Sequence, residues 1–317
     1  MTFPNKLYKY RAFNDRSLDQ AVGDQLFYAD PTTFNDPLDT KPNLEADLDE
    51  FALAEILNQL LEQRIQAEMD AAAKMIKYKG PKTINHISQQ SKRRAQGMVD
   101  QVREGIANID DEFDATPAEI FSGFIERELL RRYDKGIISM AERYNCPLMW
   151  SHYGDQHRGI CFGYSIPEDA RRHLYKVTYD GDRTVKASSV QAMLRGSEDA
   201  RQLVDAAVLS RKAPDWEYEK EWRLVGTRGV QNSPLELEEI IFGIRCSQTV
   251  KFSLLRSLNE RRRQVSFYEM REQRGAFDLR RTELDQTDLL AYFPRRSLDV
   301  YDHFSALVSA IEAVQDN

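Results

Sequence analysis

Between residues 44 and 135 the periodicity of the chain changes, and that change limits its folds more than any other feature. Leu53, Leu57, Leu61, Ile65 and Met69 recur at every fourth position, and Ile56 and Leu60 widen the same apolar stripe. That is the spacing of one helix face and does not suit a strand. A break at Gly80-Pro81 ends this helix, and further helices are expected from about Ile84 to Ile106 and from Pro117 to Tyr133. Strand-like stretches stand on both sides. Leu7–Phe13 (LYKYRAF) and Leu26–Ala29 (LFYA) come before, and Gly136–Ala141 (GIISMA), Ile160–Tyr164 and Leu174–Tyr179 come after. Strands near the N-terminus must therefore pair with partners beyond the helical segment. The expectation is one α+β core from residues 1–43 and 136–296, a helical insertion at 44–135, and an amphipathic C-terminal helix within 297–317. Strands and helices do not alternate regularly, so a doubly wound parallel sheet is not expected.

At 317 residues the chain is long enough for such a core with a large insertion. Charged residues make up 30% of it, and no apolar run approaches the ~20 residues that span a bilayer. The first residues, MTFPNKLYKYR, have no apolar signal core, and the three cysteines form no CxxC pair. Together these point to a cytoplasmic protein without a membrane partner. A net charge of −7 disfavours general nucleic-acid binding. The local clusters Lys92-Arg93-Arg94, Arg261-Arg262-Arg263 and Arg280-Arg281 read as solvated faces. Neither GxGxxG nor GxxxxGK[ST] occurs.

The chemistry concentrates in Lys212–Val225, KAPDWEYEKEWRLV. Read as a strand, it places Tyr218, Lys220, Trp222 and Leu224 on one face and Glu219, Glu221 and Arg223 on the other. An ordinary half-buried strand would leave that charged face in water. The alternative is a pair of carboxylates at the mouth of a cleft, able to stabilise a developing cation. The loop DPTTFNDPLD is dense in turn-forming residues, so an Asx-turn explains Asn35 and Asp36, while a sharper reading has the loop line a site beside Arg11. Asp36, Asp39, His152 and His157 could serve a metal-dependent nuclease or other hydrolase, although a spacing of five between the histidines is not the helical i, i+4 pair. Cys161 lies inside a strand, Cys146 precedes a proline, and no GxSxG elbow exists, which sets aside a thiol or serine nucleophile.

Four of these stretches, LYKYR, FNDPLD, MWSHY and YEKEWR, stand in the order that marks a bacterial and phage family known as domain of unknown function 2971. The chain resembles that family, with Leu38 where phenylalanine is usual. More distantly, it resembles ADP-ribosyltransferases with an Arg–Ser–Glu signature. That resemblance implies an ADP-ribosyltransferase-like, largely antiparallel sheet and NAD as substrate, with no metal. It implies Glu221 as the key carboxylate, Glu219 orienting the acceptor, Ser139 bracing Glu221, and Arg11 gripping the pyrophosphate. Tyr28, Asn35, Trp150, His152 and Tyr153 become contacts for NAD. The acceptor would be a protein or a nucleic acid, and the activity that of a toxin or anti-phage effector. The helical insertion is assigned to packing, oligomerisation or partner contact. A non-catalytic binding module stands as the further alternative, in which Glu219 and Glu221 are satisfied as salt bridges.

Overall fold

A computed structural model of the chain describes residues 3–75, 81–108, 115–133 and 135–294. Strand β1 (Lys6–Arg11) leads through helix α1 (Asp15–Val22) to β2 (Gln25–Tyr28) and the short β3 (Asn43–Glu45). Helices α2 (Glu50–Met75), α3 (Pro81–Ala107) and α4 (Pro117–Arg132) follow. Then come β4 (Gly136–Ala141), α5 (Pro147–His152), β5 (Ile160–Ser165), α6 (Glu168–Arg171), β6 (Leu174–Lys176) and β7 (Thr184–Lys186). Helices α7 (Ala187–Leu194) and α8 (Glu198–Leu209) precede β8 (Glu221–Gly226), β9 (Gly229–Asn232) and β10 (Glu236–Phe242). The described chain closes with α9 (Gln248–Ser257), β11 (Ser266–Glu272), β12 (Leu279–Glu283) and α10 (Gln286–Tyr292). The expected C-terminal helix lies outside the described residues.

The result is a mixed α+β fold. Among the described residues the main sheet has eight strands in the order β12-β11-β10-β5-β1-β4-β8-β6. Its pairings are antiparallel except for β10 with β11. The N-terminal strand is thus central. It pairs along its whole length with β5, from Lys6 opposite Ser165 to Arg11 opposite Ile160. Against β4 it keeps a single register pair, Tyr8 opposite Ala141. The sheet therefore opens on one side of β1, and this opening places the site.

One sheet face packs Leu7, Phe162, Trp222, Leu224, Ile240 and Phe242 against Leu254 and Leu255 of α9 and Ala21 of α1. The opposite face carries Tyr8, Tyr10, Ala141, Cys161 and Ile241 beneath Met149 and Trp150 of α5. A separate core forms where Leu53, Leu57, Leu60 and Leu61 of α2 meet Phe121 and Ile125 of α4 and Val190, Val204 and Leu209 of α7 and α8. The apolar stripe read at every fourth residue is the buried face of α2, with Leu53, Leu57, Leu61 and Ile65 all buried. The inserted helices thus seal against two helices that follow β7.

Two local expectations are corrected. Lys212–Val225 is not one strand, because Pro214 opens a 3₁₀ turn that runs to Glu219 and the strand begins only at Glu221. Lys220 between them takes φ 45°, ψ 53°, the left-handed conformation that ends the turn. Glu219 and Glu221 meet through that reversal and not through strand alternation. The charged face of β8 is also not solvated: Glu221 is 3% and Arg223 0% exposed, while Trp222 and Leu224 fill the other face.

Candidate functional site

The opening between β1 and β4 is a cleft of about 390 Å³, within the usual range of small-molecule sites. β1 provides Lys9, β4 provides Ser139, α5 provides His152 and Tyr153, and the loop after β2 provides Phe34, Asn35 and Asp39. Lys212, Glu219 and Glu221 complete the wall.

Three carboxylates and two cations interlock in that wall. Arg223 donates from Nε to Glu221 Oε1 at 2.9 Å and from Nη2 to both Asp39 oxygens at 2.8 and 2.7 Å. Its Nη1 reaches the Leu209 carbonyl at 2.9 Å. Lys212 Nζ stands 2.6 Å from Glu219 Oε2, 3.3 Å from Glu221 Oε2 and 3.6 Å from Asp39 Oδ2. Tyr153 donates its hydroxyl to Glu219 Oε1 at 2.7 Å, and Asn35 Nδ2 lies 3.4 Å from that hydroxyl. A guanidinium suits this position because its fixed fork serves two carboxylates and a carbonyl at once.

The same wall drives the two glutamates apart. Burial alone would raise both. For Glu221, Arg223 and Lys212 outweigh burial, with help from the Ser139 hydroxyl, and hold it down to about 2. For Glu219 burial wins, and the neighbouring Glu221 charge adds to it, so its carboxyl sits above the ordinary range despite Lys212 and Tyr153. Asp39 is likewise raised, first by burial and then by Glu221. The cleft therefore presents a carboxylate held ionised at neutral pH beside one of raised proton affinity.

Lys9 is the other polar group of consequence. Its ammonium donates to the Ser139 carbonyl at 2.6 Å, across the gap where the β1–β4 ladder stops. Burial, together with the positive Arg11, lowers it to about 7, against the pull of Glu221 and Glu219.

The structure gathers Glu219, Glu221, Ser139, Asn35, His152 and Tyr153 around the cleft. Arg11, Tyr28 and Trp150 are not among its lining residues. Arg11 alternates with Tyr10 on β1, and the groups that act on its guanidinium are Tyr164 and Arg16. Tyr28 is buried, packed where Gly136 and Gly226 leave no room for a Cβ. Trp150 is fully buried, edge-on to Tyr10 at 5.1 Å, with its indole donating to the Tyr144 carbonyl at 2.8 Å. The four residues named for a metal do not assemble. Asp36 accepts from Trp216 Nε1 and the Leu38 amide, Asp39 is held by Arg223, and His157 Nε2 meets the Ser151 hydroxyl. Among the described residues no group of three or more His, Cys, Asp and Glu is placed to hold a metal ion. The turn reading holds for Asp36, whose Oδ1 takes the Leu38 amide at 2.8 Å as an Asx-turn does.

Sequence reasoning missed Lys9 and Lys212. Lys9 was one basic residue in an aromatic strand, and its signal was position, two residues before an arginine on the same face. Lys212 opened the decisive stretch but stands seven residues before its partner Glu219, beyond any regular strand or helix spacing.

Fold and cleft together describe an α+β protein with a cleft framed by a buried ion network at an opened strand pair. Residues 149–224 match the family model described as "Protein of unknown function (DUF2971)". The match runs from MWSHY through YEKEWR, so the family resemblance holds for this segment; LYKYR and FNDPLD lie outside it. It contains His152, Tyr153, Lys212, Glu219, Glu221 and Arg223, and not Lys9, Asn35, Asp39 or Ser139. No curated protein and no solved structure matches the chain. No helix among the described residues is long and apolar enough to cross a membrane.

Proposed function

We propose that this protein breaks the nicotinamide–ribose bond of NAD and passes ADP-ribose to an acceptor or to water, as an ADP-ribosyltransferase-like enzyme. The supporting observation is the pair Glu219 and Glu221 on one cleft wall, with proton affinities pushed in opposite directions. Carboxylate pairs separated in this way divide into a fixed charge and a proton acceptor.

Glycosidic cleavage passes through an oxocarbenium-like state. Glu221, locked by Arg223, supplies a preorganised negative charge beside it, and such charge needs no rearrangement as the bond breaks. The C1′–N bond gives its electron pair to the pyridinium ring, so nicotinamide leaves neutral and requires no acid. The acceptor then bonds to C1′, and its proton passes to Glu219, whose raised affinity suits a base. Tyr153 orients Glu219, and Asn35 approaches that hydroxyl. In this reading Arg11, which does not line the cleft, has no part in holding NAD. A toxin or anti-phage role rests on the resemblance alone.

The test is nicotinamide release from NAD by purified protein, with and without a chelator, beside Glu219→Gln and Glu221→Gln. Chelator-insensitive release that drops at least a hundredfold in folded Glu219→Gln is expected (about 10²–10⁴-fold is typical for a positioned acid or base). Absence of release, even with a bacterial lysate as acceptor, would sink the reading. The binding-module alternative also has an observation in its favour: both Glu221 oxygens are taken up by Arg223 and Lys212. Under it, NAD binds without turnover and both variants behave like the parent.

A further inference from the structure

The cleft contains two lysines in opposite situations. Lys212 is fully engaged, standing against Glu219, Glu221 and Asp39. Lys9 has the Ser139 carbonyl as its hydrogen-bond partner, which uses one of its three N–H groups, and no ion pair engages it among the described residues. Alternation along β1 puts Lys9 and Arg11 on the same strand face. The buried Nε of Arg11 has no hydrogen-bond partner, and besides burial the groups acting on that guanidinium are Tyr164, which favours its charge, and the cation Arg16, which opposes it. The β1 side of the opening thus presents an amine with no ion-pair partner, while β8 and its preceding turn supply the carboxylates of the wall. A ligand suited to both would be cationic or electron-poor at one end and anionic at the other.

We propose that Lys9 is the residue with which the cleft binds the phosphate of a nucleotide ligand. The proposal builds on the NAD reading and adds to it a binding residue and a coupling to pH. The groups facing Lys9 are Arg11 on β1, Glu219 and Glu221 from the turn and β8, and the Cys161 thiol on β5; of these only Arg11 disfavours its charge. His152 and Tyr153 of α5 and Asp39 of the loop line the same space. Burial and the neighbouring Arg11 lower the Lys9 amine to about 7. A phosphate beside it restores the charged form, since an opposite charge within a few ångströms raises an amine. Above neutrality, nucleotide binding then takes up a proton from solution, and affinity falls about tenfold per pH unit.

ADP-ribose and nicotinamide riboside separate the parts, because the first carries the diphosphate and the second only the nicotinamide-bearing ribose. Titration calorimetry at pH 8 in buffers of different ionisation heat counts the protons. The parent protein is expected to take up close to one proton per ADP-ribose. Lys9→Met loses the uptake and binds ADP-ribose at least tenfold more weakly at pH 6.5, while nicotinamide riboside binds to it as before. Lys9→Arg keeps the charge at all these pH values, so it retains ADP-ribose but shows no uptake. A thermal melt of each variant establishes that it is folded. If the parent binds ADP-ribose with no proton uptake, or Lys9→Met binds it as tightly, the assignment of Lys9 fails and the nucleotide reading stands. If the parent binds neither compound, the nucleotide reading fails and takes this inference with it.

Discussion

A lysine held near neutrality inside a fold weakens that fold, and Lys9 is such a residue. Its affinity for protons in the folded chain, about 7, lies below the 10.5 of a free lysine. The unfolded chain therefore binds more protons between these values, and the penalty for Lys9 is greatest below about 7 and disappears as pH rises towards 10.5. Lys9→Met should raise the melting temperature at pH 7 by several degrees while impairing ligand binding, a trade common at functional positions. A lowered melting temperature would mean that Lys9 is a structural residue. Arg223 should behave oppositely. Its removal strands Glu221 and Asp39 in the interior, so Arg223→Met should cost about 3–5 kcal/mol in urea unfolding, as breaking buried ion pairs does. Glu221 shares the pH slope of Lys9, because folding lowers its proton affinity too, but it adds stability where Lys9 subtracts it. Its folded value of about 2 lies below the ordinary 4.5, so its contribution is full above about 4.5 and is lost as pH falls towards 2. The stability gap between the parent and Glu221→Gln should therefore be wide at pH 7 and narrow at pH 3.

At the scale of elements, the site depends on tight turns that hold α5 and the Glu219 turn against the sheet. Asp155, Gln156 and His157 all have positive φ, at 49°, 52° and 69°. Glycines on either side make this possible. A Cβ on Gly159 would fall 2.1 Å from the Arg11 carbonyl oxygen, and one on Gly243 2.1 Å from that of His157. Either glycine changed to alanine must push backbone aside, so a loss of several kcal/mol is expected, larger than most single substitutions. Gly105, whose Cβ position meets nothing within 4 Å, is the gentler comparison. The sequence showed these turns only in part. In the sequence Gly154 and Gly159 bracket a polar loop, because glycine is a local signal. The long helices were legible too, since one buried stripe repeats down α2. The 3₁₀ turn at Pro214–Glu219 was not, because alternating Tyr218, Lys220, Trp222 and Leu224 imitates a strand and the left-handed Lys220 leaves no compositional trace. Nor was Lys212: its role depends on where the turn returns the chain, which is a tertiary fact.

Across the whole molecule, the cleft wall is shared between two cores. Leu209 belongs to the core built by the inserted helices, and its carbonyl accepts from Arg223. Tyr133, just past α4, donates its hydroxyl to Asp205 on α8, a second tie between the insertion and this wall. Leu57→Ala, deep in that helical core, should cost about 2–5 kcal/mol. It should also loosen ADP-ribose binding although Leu57 is not among the cleft's lining residues; unchanged binding at equal stability loss would show the insertion to be independent of the site. The central position of β1 has a further effect, on the order of events during synthesis. The ribosome delivers β1 first, yet its partners β4 and β5 begin at Gly136 and Ile160. Until then the strand emerges with Leu7, Tyr8 and Tyr10 uncovered, all of which the finished protein buries. The inserted helices appear in the interval and can form from local contacts, whereas the sheet must wait for its distant pairings. The nascent chain thus carries an exposed aromatic strand for well over a hundred residues of translation, which is the period in which a chaperone would be needed most.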